Sequence, residues 1–158
     1  MKIAIIWHGV VGKHVEDLIK NHYKYIVYDT KYLGRIDSFE ETDVNKCDLA
    51  ILCLPTPMAE DGSCDTSIVE EVVNWLKTPL ILIKSTIEPG TTGRLKQETY
   101  KHIVFSPEFI GESTYYNPIM ASMMEEPFMI FGGNPKDTQA MVDIFQPIKG
   151  PLCKYIQC

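Results

Sequence analysis

No apolar stretch in this sequence approaches the ~18 residues that a membrane span requires, and the opening MKIAIIW is too short for the apolar region of a secretory signal. A soluble, non-secreted chain is the expectation. No C-x-x-C pair occurs, and the cysteines Cys47, Cys53, Cys64, Cys153 and Cys158 are odd in number. A disulfide framework or a zinc site is therefore not expected, and the thiols read as reduced in a cytoplasmic setting. Basic residues are in deficit: 15 Lys and Arg stand against 21 Asp and Glu, a net charge of -6, with no long run of one sign. Nucleic-acid binding, which gathers Lys and Arg on one face, is disfavoured. No internal repeat or low-complexity linker interrupts the chain. With 45% hydrophobic residues in a length of 158, it can bury one sound core.

Several short runs rich in Ile, Val and Leu have the character of strands buried on both faces: 2–7 (KIAIIW), 25–29 (YIVYD), 48–54 (DLAILCL) and 79–86 (PLILIKST), continued by 102–107 (HIVFSP) and 127–133 (PFMIFGG). Segments of helical spacing lie between them. Val11, Val15, Leu18 and Ile19 share one face, as do Ile68, Val69, Val72, Val73 and Leu76. In 134–148, Asn134 is placed to cap a helix whose first residue is Pro135, with Ala140, Met141, Ile144 and Phe145 turned inward. This alternation predicts right-handed βαβ units in one α/β domain of Rossmann type, a doubly wound, mostly parallel sheet of about six to eight strands. Residues 30–47 have weak periodicity; an irregular link with a short edge strand and a helical turn near 40–45 is expected there.

The first strand breaks into WHGVVG (7–12). In a nucleotide-binding βαβ unit, G-x-G-x-x-G supplies a tight turn, a close backbone approach to a pyrophosphate, and helix-to-strand packing, in that order. Gly9 and Gly12 stand at the second and third positions, and Trp7 replaces the first. Asp29 ends the second strand, where a carboxylate bonds ribose hydroxyls, and its charge favours NAD over NADP. Three later strands also end in polar, proline-stiffened turns: LPTP (54–57), KSTIEPGTTG (84–93) with Ser85 and Thr86, and SPEFIGES (106–113) with Glu108 and Glu112. For each turn alone, simple strand termination is the alternative. Together they gather polar groups on the sheet edge where doubly wound folds place ligands.

The opening turn, 48–73 (DLAILCLPTPMAEDGSCDTSIVEEVV), 85–95 (STIEPGTTGRL) and 106–113 (SPEFIGES) resemble, in order, the blocks of the NAD-binding N-terminal domain of the UDP-glucose/GDP-mannose dehydrogenase family. Members oxidise C6 of a nucleotide sugar to a carboxylate in two NAD-linked steps. The resemblance implies that His8, Gly9, Val10, Val11 and Gly12 line the pyrophosphate turn, that Asp29 takes the ribose, and that Pro55 and Thr56 lie along the cofactor. Thr86 matches a threonine that helps hold a catalytic water. Glu108 matches a glutamate that assists proton handling, and Glu112 one beside the nicotinamide end. Glu108, Phe109 and Ile110 match residues that contact the sugar nucleotide, partly through backbone groups.

Several family features have no match in the sequence. The family's G-F-G-G-x-C nucleophile block, with the lysine and asparagine of its long connecting helix, is not found in the 158 residues. Gly111 stands where the family often has arginine, and Ser113 where it often has glycine. Residues 1–150 are expected to form the NAD-binding domain and 151–158 a tail at the start of the connecting helix. Cys153 and Cys158 are poor nucleophile candidates, because a terminal segment offers no glycine-rich cradle. The expectation is a cytoplasmic oxidoreductase domain that binds NAD and a UDP-sugar and needs a partner chain for the rest of the active site. The alternative is a non-catalytic nucleotide-binding or interaction module, suggested by Trp7.

Overall fold

The computed structural model describes residues 1–29, 39–110 and 122–158. Its elements run β1 (Lys2–Ile6), α1 (Val10–Ile19), β2 (Lys24–Tyr28), α2 (Glu41–Val44), β3 (Leu49–Leu52), α3 (Ser67–Trp75), β4 (Leu80–Ile83), α4 (Thr91–Thr99), β5 (Ile103–Phe105), β6 (Phe128–Phe131), α5 (Pro135–Lys149) and β7 (Lys154–Gln157). The first five strands form one parallel sheet in the order β2-β1-β3-β4-β5. β6 and β7 pair in parallel as a second ribbon, joined to β5 by an antiparallel bridge in which Phe105 and Gly132 exchange N–H···O bonds of 2.9 and 2.8 Å. Of the six strands expected in one sheet, five form it and the sixth, β6, pairs instead with β7. The helical turn near 40–45 is α2; the edge strand expected in 30–47 falls largely on residues outside the described ones.

Strand alternation explains the layering. Ile3, Ile5, Leu49, Ile51, Leu82 and Val104 face α1 and α5, where they meet Val15, Leu18, Ile19, Met141, Phe145 and Ile148. Their neighbours Ala4, Ile6, Ala50, Leu52, Ile81, Ile83 and Ile103 face α2, α3 and α4. Both faces are covered, so these strands are apolar at successive positions rather than alternating with polar residues. α5 starts at Pro135 as expected, although the Asn134 side chain makes no capping bond; of the residues foreseen as inward, Met141 and Phe145 are buried while Ala140 and Ile144 are half-buried, and Val142 and Ile148 are buried as well.

Residues 151–158 depart from expectation. They were expected to lead into a helix, yet Lys154–Gln157 is strand β7, pairing Phe128 to Phe131 with Lys154 to Gln157. Gly150, at φ +74°, turns the chain out of α5. Lys154 N–H then bonds Pro127 O at 2.9 Å and Cys158 N–H bonds Phe131 O at 3.0 Å. The backbone of β6 offered an unpaired edge, and pairing it outweighs helical continuation.

The order β2-β1-β3 puts the next strand of the chain on the opposite side of β1, which opens a crevice at the carboxyl ends of β1 and β3. Doubly wound sheets bind ligands at such a switch point.

Candidate functional site

The turn after β1 forms one wall of this crevice. Gly12 is buried in α1, and a Cβ there would lie 2.2 Å from the backbone oxygen of Trp7, so only glycine lets the helix approach the strand this closely. Gly9 precedes the first turn of α1, whose leading N–H groups have no intrahelical acceptors and form a natural anion-facing end. Trp7 occupies φ +77°. This left-handed conformation is the one a first glycine supplies freely; for a residue with a Cβ it costs roughly 1–2 kcal/mol. Its N–H bonds Tyr28 O at 2.8 Å, which ties the turn to the end of β2.

Asp29, at the end of β2, is buried to 8% exposure, and its Oδ2 accepts the His8 N–H at 2.8 Å. The carboxylate is thereby oriented at the place expected for ribose recognition. The His8 ring turns toward α1: Nε2 lies 2.6 Å from Glu16 Oε2, while Tyr25 donates its hydroxyl to Glu16 Oε1 at 2.7 Å. Burial of Glu16 is outweighed by the hydrogen bonds from Tyr25 and His8, so its carboxyl sits below the ordinary glutamate range. Among the expected cofactor contacts, His8 is therefore placed through its backbone rather than its ring.

A cavity of about 380 Å³ collects the other ends. Gly9, Val10, Val11, Pro55, Thr56, Ser85, Thr86, Glu108 and Ile110 all line it, with Lys84 and Cys53 at its base. Four expected segments from four strand ends therefore do meet. Thr86 is exposed at the mouth, and its carbonyl accepts from Cys64 Sγ at 3.4 Å. Cys53 is not a nucleophile, since burial pushes its thiol up to about 12. Glu112, Gly111 and Ser113 lie outside the described residues. The Phe109 and Ile110 N–H groups, expected toward a sugar nucleotide, are directed at the Glu108 carboxylate, whose Oε1 accepts them at 3.0 and 2.9 Å.

Two charged residues at this site escaped the sequence reading. Lys84 is 4% exposed; its Nζ donates to Pro107 O at 3.1 Å and lies 3.5 Å from Glu108 Oε2. A lysine closing the apolar run LILIK was the available signal, because a buried ammonium requires a partner. Glu126 is also 4% exposed, and its Oε1 has no hydrogen-bond partner among the described residues. Burial pushes its carboxyl up and Glu108 pushes the same way, opposed by Lys84, Lys149 and the Phe109 amide. Burial in turn lowers Lys149, whose ammonium donates to the Met123 and Met124 carbonyls. Nothing in the local pattern MMEEP marks Glu126 as buried.

A second cavity of about 360 Å³ lies on the other side of Trp7, lined by Tyr28, Asp29, Glu41, Leu54, Ile68, Glu71, Val72 and Trp75. The rings of Tyr28 and Trp75 meet edge to face at 5.6 Å.

These residues suit a dinucleotide in most respects: the two glycines, the helix end and the oriented Asp29 are in place, and Trp7 is the departure. No described helix is long and apolar enough to cross a membrane. Residues 15–149 match the profile described as "UDP-glucose/GDP-mannose dehydrogenase family, NAD binding domain". UDP-N-acetyl-D-mannosamine dehydrogenase of Methanocaldococcus jannaschii is 28% identical over 91% of this chain and 38% of its own length. UDP-glucose 6-dehydrogenase of Streptococcus pneumoniae is 31% identical over 72% of this chain and 37% of its own. The chain thus spans less than half the length of these relatives. In fold it resembles GDP-mannose dehydrogenase from Pseudomonas aeruginosa, with a TM-score of 0.74 at 18% identity over 99% of this chain and 46% of that one. It is equally similar to UDP-glucose dehydrogenase from Pyrobaculum islandicum, with a TM-score of 0.74 at 20% identity and the same coverage.

Proposed function

The chain belongs to the UDP-glucose/GDP-mannose dehydrogenase family as an NAD-binding domain, and from that premise we propose that it serves the NAD-linked oxidation of a UDP-sugar in the cytoplasm. The observation that carries this reading is the convergence of Gly9–Val11, Pro55, Thr56, Thr86 and Glu108 on one cavity. Residues 1–150 form the cofactor domain in this proposal. The nucleophile block and its lysine and asparagine come from residues outside these 158, such as a partner chain.

NAD, when bound, supplies the hydride acceptor. This chain's own residues do the rest of the work on their side of the crevice. Asp29 accepts from the ribose hydroxyls, and the N–H groups opening α1 face the pyrophosphate. His8 keeps Asp29 oriented through its backbone, and Pro55 and Thr56 stiffen the wall along the cofactor. Thr86 holds a water with its hydroxyl, and Glu108 accepts the proton that leaves the sugar hydroxyl. The family resemblance assigns Glu112, outside the described residues, to the nicotinamide end. Phe109 and Ile110 meet the sugar nucleotide once their amides exchange Glu108 for substrate.

Calorimetric titration with NAD, with UDP-glucose, and with both tests the reading. Micromolar NAD binding without UDP-glucose-dependent formation of NADH supports it. NADH formation by the 158-residue chain alone would refute the assignment of the nucleophile to residues outside it.

A further inference from the structure

The Gly9 slot, which in a dinucleotide turn admits the pyrophosphate, is faced here by the chain's own indole. A Cβ built on Gly9 would stand 3.1 Å from Trp7 Nε1 and 3.2 Å from Trp7 Cδ1. Trp7 lines both cavities of the crevice, and among the described residues Leu54 is the one other they share. The wall between them therefore stands where a dinucleotide has to cross from its adenosine half to its nicotinamide half. The profile match to the family begins at residue 15, beyond this turn.

The two chambers differ in chemistry. The one containing Thr86 and Glu108 also has the end of α1 and the Lys84 ammonium. Among the described residues, the one containing Asp29 has three carboxylates, Asp29, Glu41 and Glu71, with the rings of Tyr28 and Trp75 and no Lys or Arg. Such a lining accepts hydroxyl donors and a flat aromatic base, and it repels phosphate.

We propose that Trp7 divides the cofactor crevice into two half-sites, and that the Asp29 half is a self-standing site for an uncharged nucleoside. The ribose hydroxyls donate to Asp29, which His8 N–H has already oriented, and the base lies against Tyr28 and Trp75. NAD spans both halves only after the indole leaves Gly9, so the full dinucleotide loses most of its usual advantage over its adenosine part. The inference rests on the cofactor-domain reading and adds to it a barrier at the centre of the site.

The test is calorimetry of the whole 158-residue chain, Trp7→Gly and Trp7→Asn, each titrated with adenosine and with NAD. Asparagine tolerates the left-handed backbone, so the pair removes the indole by two routes, and far-UV circular dichroism establishes that each variant folds. Adenosine is expected to bind the native chain within about threefold of NAD, and both variants to tighten NAD by about tenfold or more while moving adenosine by less than about threefold. In Trp75→Phe, Trp7 is the only tryptophan remaining, and its emission is expected to change on adding adenosine. NAD affinity that stays unchanged in both variants would overturn the partition while leaving the cofactor site intact. NAD binding by the native chain without adenosine binding would overturn it too. Failure of NAD and adenosine to bind any of the three proteins would instead remove the cofactor reading, and the partition with it.

Discussion

Replacing Lys84 with methionine keeps the apolar stem and removes the ammonium that sits under the crevice. In the native chain, Nζ donates to Pro107 O at 3.1 Å and lies 3.5 Å from Glu108 Oε2, with the two side chains 3% and 12% exposed. At an effective dielectric of about 20, two unit charges at that separation attract by roughly 5 kcal/mol. Desolvating the ammonium offsets several kcal/mol of this, so the pair as a whole adds little. Removal of one partner is different, because it leaves the largely covered Glu108 carboxylate without its cation, at a cost of about 3–5 kcal/mol for a fully buried pair. Glu108 keeps its two amide donors and the ion pair is long, so the lower end, about 3 kcal/mol, is expected. This is a large fraction of a typical domain stability of about 5–15 kcal/mol. Urea unfolding followed by circular dichroism reads it as a midpoint lowered by about 1–3 M, since m for small domains is about 1–3 kcal/mol/M. The double variant Lys84→Met with Glu108→Gln is expected to recover stability, with a coupling of about 2 kcal/mol or more. A loss below about 1 kcal/mol for Lys84→Met, or additivity in the double variant, would refute the reasoning.

Gly12→Ala is expected to cost about 3 kcal/mol, because its Cβ meets the Trp7 backbone oxygen at 2.2 Å and neither strand nor helix can yield cheaply; thermal unfolding measures it, and a change near zero means that α1 shifts freely. Asp29→Asn is expected to weaken NAD by about tenfold, or 1.4 kcal/mol, and to narrow the preference over NADP by removing the charge that repels a 2'-phosphate; paired titrations with the two cofactors give the ratio, which an intact preference would contradict. Glu126 supplies a pH dependence with a definite sign. Its folded-state carboxyl is raised above the model-peptide value of 4.5, so the native state binds more protons there, and stability falls as pH rises from about 4.5 through the raised value. Glu126→Gln removes this slope, and its stability relative to the native chain should grow as pH rises; urea midpoints across pH 4 to 9 that run parallel in the two proteins would rule it out.

The layering of the fold was legible because each strand has an apolar run and each long helix an apolar face, and this information is local. It placed β1 to β6, α1, α3 and α5 close to where they are observed. β7 was not legible, since KYIQ has an exposed, weakly apolar pattern and becomes a strand only because β6 offers it an edge. The site divides in the same way. Asp29, Thr86 and Glu108 were legible as crevice residues because the ends of parallel strands share one edge, so a polar residue just past each strand falls into the crevice.

What sequence alone determined is therefore the set of strand ends and the chemistry they bring. Tertiary structure decided the pairings between groups far apart in the chain: Lys84 with Glu108, Glu126 beside both, and His8 N–H on Asp29. It also decided the meaning of Trp7. The letter at position 7 reveals that a glycine is missing, but the left-handed backbone and the approach of the indole to Gly9 arise from the closure of α1 onto β1 and the bond to Tyr28. That closeness, set by packing across the turn, makes the residue a wall within the crevice.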